Sequence, residues 1–471
     1  MSTSSPHTPP DTRAVVTDLW TRAGHGPEAL DALTLTGGDT PVLPSVLAVD
    51  TAATACTALT GLAAAEVHRL AGGPWQTVTV DRRHAALAYR SERYLRIEGS
   101  TPTVEHPAGN YFRTRDGGWV QLHMAYPHHR DGTLRRLDCG PQRADIERAV
   151  RGWDAAALEE ALFEAGVCAT RLRDRDAWLA HPQGAAVDAL PPFELLRMDD
   201  APPRPLPQGD RPLAGLRVLD LTHVIAGPVC GRTLAEHGAD VLHVHAPHRP
   251  SLPLLVMDTG RGKRTTCLDL RAGTDRERFE ALVADADVVV QGYRPGAFEA
   301  LGYSARRLAA LCPGLVYLTL CAWSHAGPWR DRRGFDSLVQ TASGIADAGG
   351  RASGGDAPRA LPCQALDHST GYLAAFLVMT ALARRATMGG SWRIRLSLAQ
   401  TASWLWRLGP VDTLHAPDPT ASDAAEFLEV TDSGFGRMHA VRPVPELSRT
   451  PAYHALPAQP IGTHDPAWAT R

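Results

Sequence analysis

From residue 216 onward the chain is divided into short apolar runs: LRVLDL (216–221), ADVLHVH (239–245), TTCLDL (265–270), ADVVVQGY (286–293), GLVYLTLCAW (314–323) and WRIRLSL (392–398). Helical segments separate them. Strand, helix, strand repeated in this way predicts an α/β domain, a mainly parallel sheet covered by helices on both faces. Ligands of such sheets sit beyond the carboxyl ends of the strands. The loops that follow the runs are therefore where chemistry is expected.

The rest of the chain is organised around that block. Residues 1–13 are rich in Ser, Thr and Pro and are expected to be disordered. Residues 14–105 carry a helical stretch at 14–23, a long Ala-rich helix at 46–71 stopped by Gly72-Gly73, and a strand at 75–81. This segment is expected to pack on the larger domain. A small α+β domain is expected over 106–200, with a hairpin at 110–124 turning at Asp116-Gly117-Gly118 and helices at 143–151 and 154–165. The proline-rich stretch APPRPLPQGDRP (201–212) is the linker to the domain at 213–410, and the Pro-rich tail, 411–471, is expected to be irregular. Residues 49–80 echo residues 366–397: an aspartate, an Ala-rich helix, Gly-Gly, a tryptophan and a strand fall at the same offsets. A fixed order of unlike features indicates duplication.

Composition excludes several classes. The 471 residues suit two domains. Lys+Arg 48 against Asp+Glu 51 gives no global field for nucleic acid or an anionic membrane. Eight cysteines stand singly, without C-x-x-C pairs or a disulfide framework, which fits a reduced cytoplasmic protein. The N-terminus lacks the basic-then-apolar order of a signal peptide, and no apolar run reaches the roughly 18 residues a membrane span needs.

Three features carry chemistry. Asp367 stands at the front of the apolar helix CQALDHSTGYLAAF (363–376), where it is either a helix cap or a reagent. GRGKR places Arg261, Lys263 and Arg264 beside small residues just before a strand, as either a phosphate site or a solvated basic turn; the Walker A spacing is absent. His243, His245 and His248 lie close together in sequence, but two on one strand face without an acidic partner do not make a metal centre, so no metal is expected.

The motifs PLAGLRVLDLTHVIAGPVCGRTLAEHGADVLHV (212–244), GRGKRTTCLDLR (260–271), VVQGYRPGAFEALGYS (289–304), GFDSLVQTASG (334–344) and the Asp367 stretch occur in one order. In this they resemble the family III CoA-transferases, such as formyl-CoA:oxalate CoA-transferase. HPQG (181–184) and PAQPIGTHDPAW (457–468) resemble further parts of that family. The resemblance implies a Rossmann-like domain plus a small domain, here in altered order, and a homodimer. It implies Asp367 as the nucleophile, with Asp50, its echo, a relic or cap. It places Val224, Ile225, Gly292 and Tyr293 along the CoA channel, with Arg294 adding charge and Phe335 beside the acyl-CoA. CoA and acyl-CoA are then substrates rather than permanently bound cofactors, and a carboxylic acid is the acceptor. The chain departs from the family pattern at Ile225, His245, Gly260, Gly292 and Ala300. Two other readings stay open: an α-methylacyl-CoA racemase, which would carry a histidine where Phe335 stands, and a degenerate CoA-binding subunit.

Overall fold

Val218, Val288, Val290 and Val316 are fully buried on one side of a sheet, and Leu219, Leu242, Val289 and Tyr317 on the other. That is why their runs are apolar throughout rather than alternating. The structure is a computed structural model and describes residues 9–102 and 111–469. In chain order its strands begin with β1 (Leu33–Thr36), β2 (Val78–Asp81) and β3 (Arg96–Ile97). The small domain gives β4 (Tyr111–Arg113), β5 (Trp119–Leu122) and β6 (Ala169–Arg171), and β7 (Glu194–Arg197) precedes the linker. Then come β8 (Arg217–Leu221), β9 (Asp240–His245), β10 (Lys263–Cys267), β11 (Val288–Gln291), β12 (Val316–Cys321) and β13 (Trp392–Ser397). The tail supplies β14 (Leu428–Ser433), β15 (Gly436–Val441) and β16 (Glu446–Leu447).

The large sheet runs β10-β9-β8-β11-β12-β13-β7. The first six are parallel and β7 is antiparallel to β13 at the edge. The chain moves outward from β8 to β10, then crosses back to β11 and proceeds the other way. The order therefore reverses between β8 and β11, and the crevice at such a reversal is the place for a ligand. Helices Ala226–Glu236 and Ala365–Met388 cover one face, and Gly273–Ala284 and Ala305–Leu311 the other. Fully burying a Leu, Val or Phe side chain contributes about 1.5–3 kcal/mol, so helix Ala365–Met388, buried almost end to end, is held by packing more than by propensity.

Helix Val49–Leu70 lies along helix Ala365–Met388, joined through Tyr89, whose hydroxyl is 3.0 Å from Ser369 Oγ and donates to the Ala52 carbonyl at 3.4 Å. The echo extends to topology. β12 is parallel to β13, which pairs antiparallel with β7; β1 is parallel to β2, which pairs antiparallel with β16. The small domain, with sheet β4-β5-β6, seats on helix Asp336–Ala342: Thr341 Oγ1 donates to Gln121 Oε1 at 2.6 Å and Arg173 N–H to the Thr341 carbonyl at 3.3 Å. Gln183 of the HPQG motif fastens it further, donating to the Trp323 and Ala326 carbonyls and accepting from Trp329 N–H at 2.7 Å.

Three expectations change. Helix Thr12–Arg22 starts inside the stretch expected to be disordered, with Asp11 accepting from Arg13 N–H at 3.0 Å as its cap; residues 1–8, and 103–110 with the hairpin's first residue, lie outside the described residues. The third apolar run enters the sheet two residues early, at Lys263, and leaves after Cys267. The tail is not irregular: β14 and β15 form a hairpin joined by β3, and β16 closes the minor sheet.

Candidate active site

Asp367 is the third residue of its helix, yet it does not cap it. The cap position, Gln364, makes no side-chain bond, and among the described residues no group donates a hydrogen bond to the Asp367 carboxylate. Its backbone N–H instead donates to Asp336 Oδ2 at 2.8 Å. Asp336, the first residue of helix Asp336–Ala342, also accepts from Gln340, whose own Oε1 accepts from Leu361 N–H at 2.8 Å. Asp336 thus does the capping and leaves Asp367 free. Burial, and then the charges of Asp336 and Glu92, push the Asp367 carboxyl well above the usual range. Burial raises Asp336 to about 6, offset in part by its donors. With its donors, Asp336 is the better-stabilised anion of the two. The helix N-terminus alone does not keep Asp367 charged, contrary to what its position suggests.

The small domain lays a cluster of rings over this pair. His123, at the end of β5, stacks on Phe335 with centroids 3.7 Å apart and planes 5° apart; Tyr126 and His129 each lie 6.0 Å from Phe335. Burial raises Tyr126 to about 12, helped by the charge of Asp367, which places the phenol near the carboxylate. Burial lowers His123 to about 4 and His129 to about 3, so both are neutral at pH 7.

Gly371, one turn after Asp367, brings the switch-point loop to the pair. A Cβ there would meet the Ala226 carbonyl at 2.5 Å and Val229 Cβ at 2.8 Å, so the starts of the two helices touch. Val224, at φ 71°, and Ile225 lead into helix Ala226–Glu236 directly after β8. Ile225 is buried in the core and Val224 half-buried. Gly292 and Tyr293 follow β11 on the other side of the reversal; Tyr293 stacks on Phe298 and carries the Arg249 guanidinium 4.9 Å above its ring. Arg294 is exposed and donates to the Asp331 carbonyl at 2.7 Å. Its pKa is lowered by burial and then by Arg333, with Arg249 contributing; His128 is lowered by burial and the same Arg333 and Arg249. Three guanidiniums therefore share the mouth between the small domain and the switch point.

The match to known proteins falls on this framework. Residues 213–420 match the family described as CoA-transferase family III. Over this stretch the chain is similar to that family. Among similar proteins, "Acetyl-coenzyme A transferase nodX" of Hypoxylon pulicicidum is 36% identical over 201 residues, 42% of this chain and 34% of that protein. An "Acyl-CoA transferase" of Gibberella moniliformis is 26% identical over 420 residues, 78% of this chain and 72% of that protein. A solved structure of Rv3272 from Mycobacterium tuberculosis is 32% identical, covering 42% of this chain and 58% of that one, with a TM-score of 0.38. The chain thus spans about a third of the first relative's length.

Within the matched stretch the GRGKR residues have partners inside the chain rather than open positions for a phosphate. Lys263 is 2% exposed; its Nζ donates to Asp220 Oδ2 at 2.8 Å and to the Pro228 carbonyl at 2.7 Å. Arg261, also 2% exposed, is bound to Asp258, Glu429 and the Val441 carbonyl. Arg264 donates to the Ala467 carbonyl at 2.7 Å and lies 3.9 Å from Asp240. All three are consumed in holding the fold. Among the described residues the cations at the mouth without a carboxylate partner are Arg249 and Arg333 beside Arg294, with Arg333 donating to the Gly166 carbonyl, and sequence reading missed the first two. Their signal was faint: the arginine of HRP and the second arginine of RRG, in loops whose meeting depends on the small domain. His123 and Tyr126 were missed for the same reason. Asp50 differs from Asp367 in its bonding. Its Oδ2 accepts from Val42 N–H at 2.8 Å and Leu43 N–H at 3.4 Å, which ties down the preceding loop, beside a cavity of about 360 Å³ lined by Pro41, Leu43 and Val411.

Proposed function

We propose that the chain is a CoA-transferase that moves CoA from an acyl-CoA to a carboxylic acid, with Asp367 as the nucleophile. The observation that carries this is a buried carboxylate that caps nothing, beside a second aspartate that does the capping. A donor thioester entering between Arg249, Arg294, Arg333 and the switch-point loop would lay its phosphates at the mouth and its carbonyl toward Asp367. Asp367 attacks that carbonyl, the C–S bond breaks, and a mixed anhydride and CoA thiolate result. The thiolate attacks the aspartyl carbonyl, releases the donor acid and leaves an Asp367–CoA thioester. The acceptor carboxylate then attacks the aspartyl carbonyl, releasing CoA thiolate. The thiolate takes the acceptor's acyl group and frees the aspartate. Each bond made replaces one broken, so no ATP is consumed.

The raised pKa of Asp367 gives it a stronger nucleophile's basicity once ionised, at the expense of the fraction ionised at neutral pH. Intact-mass measurement after mixing with acyl-CoAs should find a CoA or acyl adduct on a peptide containing Asp367, removable by hydroxylamine. Asp367→Asn should abolish both adduct and turnover, whereas Asp50→Asn should retain them; full turnover in Asp367→Asn would refute the assignment.

A second reading is favoured by one contact. His123, neutral and stacked on Phe335, supplies an imidazole where Phe335 itself cannot move a proton, so racemase chemistry on a 2-methylacyl-CoA has a proton acceptor after all. Deuterium entering the α-carbon in heavy water, dependent on His123, would favour it over transfer.

A further inference from the structure

At the carboxyl ends of β8 and β9 three histidines converge. The two-residue period of β9 sends His243 and His245 to one face. The pairing of Asp220 with His243 sets the residues following β8 beside the end of β9, which brings His223 to the same place. One ring nitrogen from each lies within 4.8 Å of the others. The rings of His243 and His245 are 4.1 Å apart and those of His223 and His245 5.5 Å. His248, the third histidine of the sequence run, is not part of this group; it is exposed and lies 3.9 Å from Asp269.

We infer that His223, His243 and His245 form a binding site for one divalent transition-metal ion of the zinc type, a site distinct from the Asp367 pair. Two features argue for a ligand there. First, His243 Nε2 lies 2.9 Å from the Thr222 carbonyl, which only accepts, so Nε2 carries the proton and Nδ1 keeps its lone pair. Donation of the second ring nitrogen to a backbone carbonyl is the usual way a metal-binding histidine is oriented. Second, His245 Nε2 and His223 Nε2 are buried without a hydrogen-bond partner, although His245 is only 4% exposed. A buried nitrogen left unpaired is costly, and a metal satisfies both at once.

The surroundings favour an ion of this class. Imidazole alone suits zinc, copper and nickel rather than magnesium or calcium. Behind the rings Asp220 and Lys263 neutralise each other, and Arg249 on the loop after β9 is the cation that faces His223. Tetrahedral zinc with nitrogen at 2.0–2.1 Å sets ligand atoms about 3.4 Å apart, so modest rotation of the side chains closes the site. Three protein ligands leave a fourth position open, and half-buried His223 and Val224 mark the way in.

The test uses the full chain, stripped with a chelator and then equilibrated with Zn²⁺ and, separately, with Co²⁺. The wild type should hold one equivalent of zinc more than His245→Phe and than His223→Ala, the latter in the loop after β8. Its Co²⁺ form should show the visible absorption of tetrahedral nitrogen ligation, absent from both variants. Zn²⁺ should raise the thermal midpoint of the wild type and not of the variants. Equal zinc content in all three proteins, or wild-type cobalt spectra showing only the octahedral aquo ion, would overturn the assignment. Because metal content and spectra need no turnover, these outcomes are separate from those that test the transferase reading.

Discussion

Asp367 and Asp336 make this region sensitive to alkali rather than to acid. Each has a folded-state pKa above its unfolded value, so between the two values the folded state holds more protons and stability falls as pH rises. Below the unfolded value, near 3.8, the penalty vanishes. Asp367→Asn should therefore be more stable than the wild type at pH 8, by on the order of 1–3 kcal/mol, and the gain should shrink toward pH 4 in urea titrations. A nucleophile bought at the expense of stability behaves this way; a cap loses stability on the same substitution. Lys263 and Arg333 separate the two kinds of cation. Lys263→Ala leaves Asp220 buried without its partner and should cost about 3–5 kcal/mol, read by denaturant unfolding. Arg333→Ala should leave the unfolding midpoint nearly unchanged and raise KM for acyl-CoA about tenfold or more, as loss of a charged hydrogen bond implies.

At the scale of elements, the strands were legible because burial on both faces leaves an unambiguous apolar run, and Val288–Val290 is a clear case. The start of β10 was not, because Lys263 reads as a surface charge until Asp220 is placed opposite it by β8 and β9. Nor was the tail: β14 carries half-buried and exposed residues and no buried one, and the partner of β15, β3, is only two residues long and more than three hundred positions away. Asp367 was legible as a position and its neighbourhood was not, since the covering rings come from the small domain. Gly371 was read as part of a motif, and its physical reason is the close crossing of two helices. Gly371→Ala should push a methyl into the Ala226 carbonyl, cost about 1–3 kcal/mol, and displace the Val224–Ile225 loop, so that KM for acyl-CoA rises along with the loss of stability. The echo carries Thr54 at this place, whose hydroxyl donates to the Asp50 carbonyl at 2.8 Å within its own helix.

Across the whole molecule, distant stretches meet at Asp258. Its carboxylate accepts from Ser91 at 2.6 Å, from Arg232 at 2.9 Å and from Arg261 at 3.2 Å, and Arg261 reaches on to Glu429 and Val441. The first segment, the Rossmann-like domain and the tail are thus fastened through one buried group. Asp258→Ala should cost about 3–5 kcal/mol, and intrinsic fluorescence and far-ultraviolet circular dichroism should still report one coincident transition, because the three stretches share one buried apolar core. The minor sheet makes the same connection in hydrogen bonds: β16 lies against β2, and Thr77 N–H meets Ser448 Oγ across 371 positions of sequence. On the ribosome this has a temporal meaning. β2 emerges early and waits, one edge unpaired, until Glu446 and Leu447 have been made, so the nascent first segment is the stretch most dependent on chaperone protection during synthesis.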